Sequence, residues 1–157
     1  MQCLPENCKI ITALAPAADA AGRTGAAVSL KNVNRAWVLF NVTQGNAATI
    51  NLSVQQAASI AGTPKALTNA TQIWANVDVS ANDTLVRQTN DVSFTTDAGV
   101  KNKLVAFQIN PTELDTANGY DCITVVTGAS NAANITSAMF ILDMKYQEAT
   151  PPTAVID

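Results

Sequence analysis

The chain has 157 residues, the size of one domain, and 48% of them are hydrophobic against only 13% charged. Soluble domains carry about 25% charged residues, so a disordered tail, a coiled coil and a polyelectrolyte binder are excluded. Nine Lys and Arg against twelve Asp and Glu give a net charge of -3 and a pI near 4.7, so no nucleic-acid partner is expected.

Along the chain, apolar residues alternate with period two, the spacing of a half-buried strand. Lys9 to Leu14 reads as a first short strand, and Ala15 to Gly25, with Pro16, Gly22 and Gly25, as a loop. Ala27 to Lys31 is a second strand. Ala36, Val38, Phe40 and Val42 then alternate with Trp37, Leu39 and Asn41, giving a core face and a half-covered face. Gln44 to Ala48 is a turn, and Ile50, Leu52 and Val54 mark the next strand. Ala57 to Ala61 reads as a helical turn or a continuation of that strand, ended by Gly62-Thr-Pro64.

Ile73, Ala75, Val77 and Val79 alternate with Trp74, Asn76 and Asp78, and Leu85 to Thr95 alternates weakly. After a turn at Thr96 to Gly99, Val105, Phe107 and Ile109 alternate with Leu104, Ala106 and Gln108. Pro111 to Asp115 fits one helical turn with proline at its first position. Asn118-Gly119 is the strongest turn signal. Cys122 to Thr127 and Ala138 to Gln147 are the last strands. About nine short strands with regular turns, and no sustained helical period, predict an all-β fold. The expected form is a two-sheet antiparallel sandwich, a jelly roll or related Greek key. Residues 9–148 form its body, flanked by extended arms at 1–8 and 149–157. Leu114 to Cys122 resembles the tyrosine corner of immunoglobulin-type sandwiches, with Tyr120 two residues before a cysteine. Its spacing from Asp115 is one residue too long, so it supports a Greek-key corner only. Gly45-Asn-Ala-Ala-Thr-Ile50 echoes Ser130-Asn-Ala-Ala-Asn-Ile135, as two similar hairpin loops would.

The chain has no histidine. That removes Ser-His-Asp and Cys-His catalysis and most proton transfer near neutral pH. Asp78, Asn82, Asp83, Asn90 and Asp91 are dense in oxygen ligands but lack EF-hand spacing. Asp91, Asp97, Glu113 and Asp121 offer carboxylates for glycoside hydrolysis, with nothing favouring a pair. No nucleophile elbow, phosphate loop or basic run occurs. The expectation is a non-enzyme with no cofactor and no metal.

Three cysteines, Cys3, Cys8 and Cys122, are too few for a zinc site without histidine, and their odd number argues against a closed disulfide framework. Cys3 and Cys8 could pair in an oxidising setting; otherwise all three are reduced thiols, with Cys122 inside a strand. Met1 to Lys9 does not read as a secretory signal, and no apolar run reaches membrane-spanning length, so no membrane partner is expected. Ala, Thr and Asn together make 60 residues, a weakly hydrated surface suited to being covered by other protein. The candidate contact residues are Trp37, Trp74 and Asn76 on outward strand positions, with Pro151, Pro152, Val155 and Ile156 of the C-terminal arm. Pro151-Pro152 stiffens that arm, and Val155 and Ile156 give it an apolar tip able to add to a neighbour's sheet.

Several stretches resemble the capsid cement, or decoration, proteins of tailed bacteriophages. They are Pro16 to Thr24, Ile73-Trp-Ala-Asn76, Asp83-Thr-Leu-Val-Arg87, Thr96 to Lys103 and Gly128 to Asn134, spread over Lys9 to Tyr146. The resemblance implies a β-sandwich on the outside of an icosahedral head, clamping neighbouring major capsid protein subunits, often as a homo-oligomeric dimer or trimer. It implies a virion location on the capsid exterior after synthesis in the host bacterial cytoplasm. Two other readings stand beside it. One is a tail or head-fibre base module recognising protein or glycan. The other is a secreted carbohydrate-binding module, which a row of exposed Trp or Tyr would favour.

Overall fold

One strand sets the architecture. Val33–Gln44 (β4) buries Ala36, Val38, Phe40 and Val42 and leaves Arg35, Asn41 and Thr43 in solvent, because successive side chains of a strand point to opposite faces. The computed structural model describes residues 4–146 and 152–156. Around β4 it places Cys8–Ala18 (β1), Arg23–Thr24 (β2), Val28–Ser29 (β3), Asn51–Ala57 (β5), Lys65–Ala66 (β6) and Gln72–Asn76 (β7). Val86–Arg87 (β8), Ser93–Thr95 (β9), Asn102–Ile109 (β10), Cys122–Thr127 (β11) and Asn134–Met144 (β12) complete the set.

Two antiparallel sheets form a sandwich. The first runs β1-β12-β4-β10-β7-β8; the second runs β2-β11-β5-β6, with β3 also on β11 and β9 also on β5. Consecutive strands cross from one sheet to the other: β1 to β2 and β3, then β4 to β5, β9 to β10, and β11 to β12. This alternation is the double Greek key of a jelly roll. In the first sheet, Phe40 lies opposite Ala138 and Val105, and Val38 opposite Phe140 and Phe107. Leu52, Val54, Ile123 and Val125 meet them from the second sheet, all buried. Phe40 and Phe107 stack edge to face with ring centroids 5.7 Å apart, the arrangement their quadrupoles favour.

The all-β sandwich is therefore as expected, with differences in detail. Among the described residues, twelve strands replace nine, the extra ones being mostly two-residue pieces. The first strand continues through Ala15–Ala18, where a loop was expected. It follows β12 past two register shifts, and Pro16 is tolerated there because β1 is an edge strand. At the first shift, Ala13 O accepts the amide of Ala26, tying this edge to the second sheet. The seventh strand stops at Asn76, so Val77 and Val79 are exposed loop residues. Side chains take over the backbone there: Asp78 N donates to Asn76 Oδ1, Ser80 N to Asp78 Oδ1 and Thr84 N to Asn82 Oδ1. Such local bonds compete with a ladder. The last strand starts at Asn134, four residues before Ala138. The strand through Ile50–Val54 ends at Ala57 and is followed by a turn.

The 111–115 region is a short 3-10 turn, Pro111–Glu113, whose Glu113 carboxylate accepts the Asn110 amide. Asn118-Gly119 closes a second such turn, with Gly119 at φ 78°, a conformation glycine adopts without strain. The echoed segments are two loops side by side at one end of the sandwich. Asn134 accepts from Asn46 N and donates to Ala48 O and Ser130 Oγ. The same end buries Asp19 with Arg23 and Thr127, and Lys103, whose ammonium meets Gly99 O and Asp97.

Candidate functional site: the outer face of the six-stranded sheet

An antiparallel sheet of a sandwich normally turns one polar face to water. This one does not. Read across neighbouring strands, its outward positions are Ile10, Ile141, Trp37 and Gln108 in one row. The next row is Thr12, Met139, Leu39, Ala106 and Trp74. Ile10, Met139 and Ile135 are exposed, and Trp37, Leu39, Trp74 and Ile141 are half-buried. With strands about 4.8 Å apart and same-face residues about 6.8 Å apart, five strands by these two rows cover roughly 330 Å².

Within this face lies a groove of about 360 Å³ lined by Trp37, Leu39, Trp74, Leu85, Ala106, Phe107 and Gln108. It exists because Ala106 is small: it sits between Leu39 and Trp74 and leaves a gap between the two indoles. Each indole is held by a guanidinium. Arg35 lies 5.8 Å from the Trp37 ring centroid and Arg87 5.3 Å from that of Trp74, cation-π distances. Arg87 is itself fixed, donating to Gln72 Oε1 at 3.1 Å and Asn90 Oδ1 at 2.5 Å.

Of the expected contact residues, Trp37 and Trp74 come together here. Asn76 does not: it is 5% exposed, and its amide donates to Asn82 O in the covering loop, so it holds that loop instead of facing a partner. In the C-terminal segment, Ser29 N donates to Ala154 O at 2.8 Å and Ala154 is buried. The segment lies against β3, with Val155 and Ile156 exposed and Pro152 half-buried; Pro151 is outside the described residues. Leu39, Gln108 and Arg87 were missed. The signal for Leu39 was present, since Trp37-Val-Leu-Phe40 is apolar in both phases of the alternation; Arg87 and Gln108 join only through the pairing of β7 with β8 and β10.

Among the described residues, the acidic side chains do not converge. Asp78 is taken by Lys101 at 2.5 Å and Asp121 lies 3.5 Å from Lys31. Glu113 bonds Asn110 and Asp91 accepts the Val92 amide. Among the described residues no three His, Cys, Asp or Glu side chains gather as metal ligands. The hydrogen bond from Lys101 holds the Asp78 carboxyl below the usual range and lifts the Lys101 ammonium above its own. Lys65, 2.6 Å from Asp115, likewise lowers that carboxyl. Lys65 also rests 3.8 Å over the Tyr120 ring, so Tyr120 acts here as its platform. Burial, then Asp143, pushes the Cys8 thiol up. Cys122 is buried in β11; the pairing of Cys3 with Cys8 lies outside the described residues. No described helix is long and apolar enough to cross a membrane.

No family model matches the chain, and no curated protein matches it. Among solved structures, the chain is similar to the SPBc2 prophage-derived protein YomS at 8% identity and a TM-score of 0.48, over 87% of this chain and 93% of that one. A structure described as "CBM4 structure and function" follows at 10% identity and 0.31, over 87% and 68%. Cowpea mosaic virus top component gives 10% and 0.30, over 94% of each chain. At these values the likenesses carry no argument about what this chain does.

Proposed function

We propose that this chain is a non-enzymatic structural protein of a virion: a capsid cement protein that binds the outer surface of an icosahedral head and bridges major capsid protein subunits. The observation that carries the reading is the apolar outer face of the six-stranded sheet, with Ile10, Ile135 and Met139 exposed on adjoining strands. A patch of roughly 330 Å² falls short of the about 800 Å² per partner of a stable pairwise interface. It suits a weak contact repeated many times over a lattice, where binding to the assembled shell alone stabilises that shell by mass action. The double Greek-key sandwich behind it supplies a rigid support.

The experiment compares heads with and without the chain. Added protein should co-sediment with expanded heads and raise their melting temperature, and Ile10→Glu with Met139→Lys should abolish both effects. Equal melting temperatures, or no co-sedimentation, would refute the reading. A second reading, an adhesion module at the base of a tail or head fibre recognising protein or glycan, is favoured by the two tryptophans that line one groove.

A further inference from the structure

We propose that the groove between Trp37 and Trp74 is a binding site for a neutral hexopyranose glycan. The inference rests on the second reading above and names its ligand class; it uses β4, β10 and β7, beside the exposed Ile10 and Met139 of β1 and β12 on the same face.

Size comes first. The three strands of the groove present roughly 14 by 20 Å, about 280 Å², near a third of what each partner of a stable protein interface covers. A second copy seated there would gain too little. The cavity of about 360 Å³ instead falls in the range of small-ligand sites, about 300–1,000 Å³.

Chemistry selects the ligand class. Sugar rings have apolar C–H faces and hydroxyl edges. An indole offers a flat apolar surface to the first, and amides and guanidinium groups offer donors and acceptors to the second. Trp37 and Trp74 stand on strands separated by β10 and are offset along the sheet by one same-face step, about 12 Å apart at their Cα atoms. Such a diagonal fits successive units of a chain and is too wide for one ring. Gln108 lies in the row between Trp37 and Gln72, and Gln72 is already held by Arg87. The rims are thus preorganised: both indoles carry a guanidinium, so little side-chain freedom remains to be lost on binding. An oligonucleotide would also stack on indoles. The net charge of -3 and the carboxylate of Asp143 opposite Arg35 disfavour it. A purely aliphatic ligand would leave the amides unpaired.

The test is native electrophoresis of the full chain in gels containing dextran, laminarin, barley β-glucan, mannan or galactan. Tryptophan fluorescence titration with the retarding polymer gives the affinity. At least one polymer should retard the chain and perturb its fluorescence. Trp37→Ala and Trp74→Ala should each weaken binding about tenfold or more, and Gln108→Ala by less, with a cooperative unfolding transition kept in each because none of the three side chains belongs to the buried core. Retardation by no polymer overturns the inference, as does undiminished retardation of the double tryptophan variant, or binding of oligo(dT) in place of glycan. The outcome separates from that of the capsid experiment. A chain that binds heads and no polymer overturns this inference alone, whereas one that binds polymer and no heads overturns only the lattice reading.

Discussion

Asn134→Ala tests whether the two echoed loops are held by a single amide. Asn134 is fully buried. Its Oδ1 accepts from Asn46 N at 2.8 Å, and its Nδ2 donates to Ala48 O at 2.9 Å and Ser130 Oγ at 2.9 Å. Three bonds at about 1 kcal/mol net each set an upper figure near 3 kcal/mol. Ala48 O keeps Gln44 Nε2 and Ser130 Oγ, both at 3.3 Å, so it is not left bare. The expected loss is about 2 kcal/mol, and for a chain of this length about 4–8 °C in melting temperature. Urea unfolding followed by the fluorescence of Trp37 and Trp74 measures it. Asn46→Ala removes only the exposed Oδ1 contact to Ala48 N and should cost about 0.5 kcal/mol. Asn134→Asp keeps the acceptor but turns a second acceptor toward Ala48 O, and should be at least as damaging as alanine at neutral pH. A loss below about 0.5 kcal/mol for Asn134→Ala, or one equal to that of Asn46→Ala, would refute the reasoning.

Other expectations follow from the same geometry. The carboxyls of Asp78 and Asp115 are lowered by their lysines, so what they contribute to stability is complete above the ordinary value of 3.8 and is lost as pH falls through their depressed folded values. Lys101 is raised above 10.5, so its contribution holds below that pH and fades as pH rises through the raised value. Melting temperature against pH should be flat from the carboxylate limb up to 9.0, where the unfolded state begins to ionise Cys8 ahead of the folded one, and Lys101→Met should remove part of both limbs. Gly119→Ala should cost about 1 kcal/mol through backbone strain alone, since a Cβ there meets nothing within 4 Å. Gly25→Ala should cost more, about 2 kcal/mol or above, because its Cβ would lie 2.5 Å from both Ala13 O and Val125 Cγ2; denaturation of the pair checks the order. Cys8, raised chiefly by burial, should label slowly with thiol reagents at neutral pH. Asp143→Asn should speed it only modestly, and a large acceleration would show that charge, not burial, governs the thiol.

The paired tryptophans show how the candidate site divides between chain and fold. Their outward phase was legible, because Trp37 alternates with Val38 and Trp74 with Ala75. That they share one groove was not: they are 37 residues apart in the chain and meet only because β10 pairs with both β4 and β7. Asn76 was misplaced for a related reason. Its phase is outward, yet a loop stabilised by its own asparagines and aspartates folds over it.

Sequence alone determined what local physics can carry: strands from period two, turns from Gly, Asn and Pro, a β-sandwich from their number, and the lack of histidine chemistry from composition. Tertiary structure decided what depends on partners distant in the chain. It extended β1 through Pro16 by pairing it with β12, buried Lys103 and Asp19 by giving each an opposite charge, and docked Ala154 on β3. Alternation tells a side chain which face it takes, but only the ladder beside it says what else stands on that face.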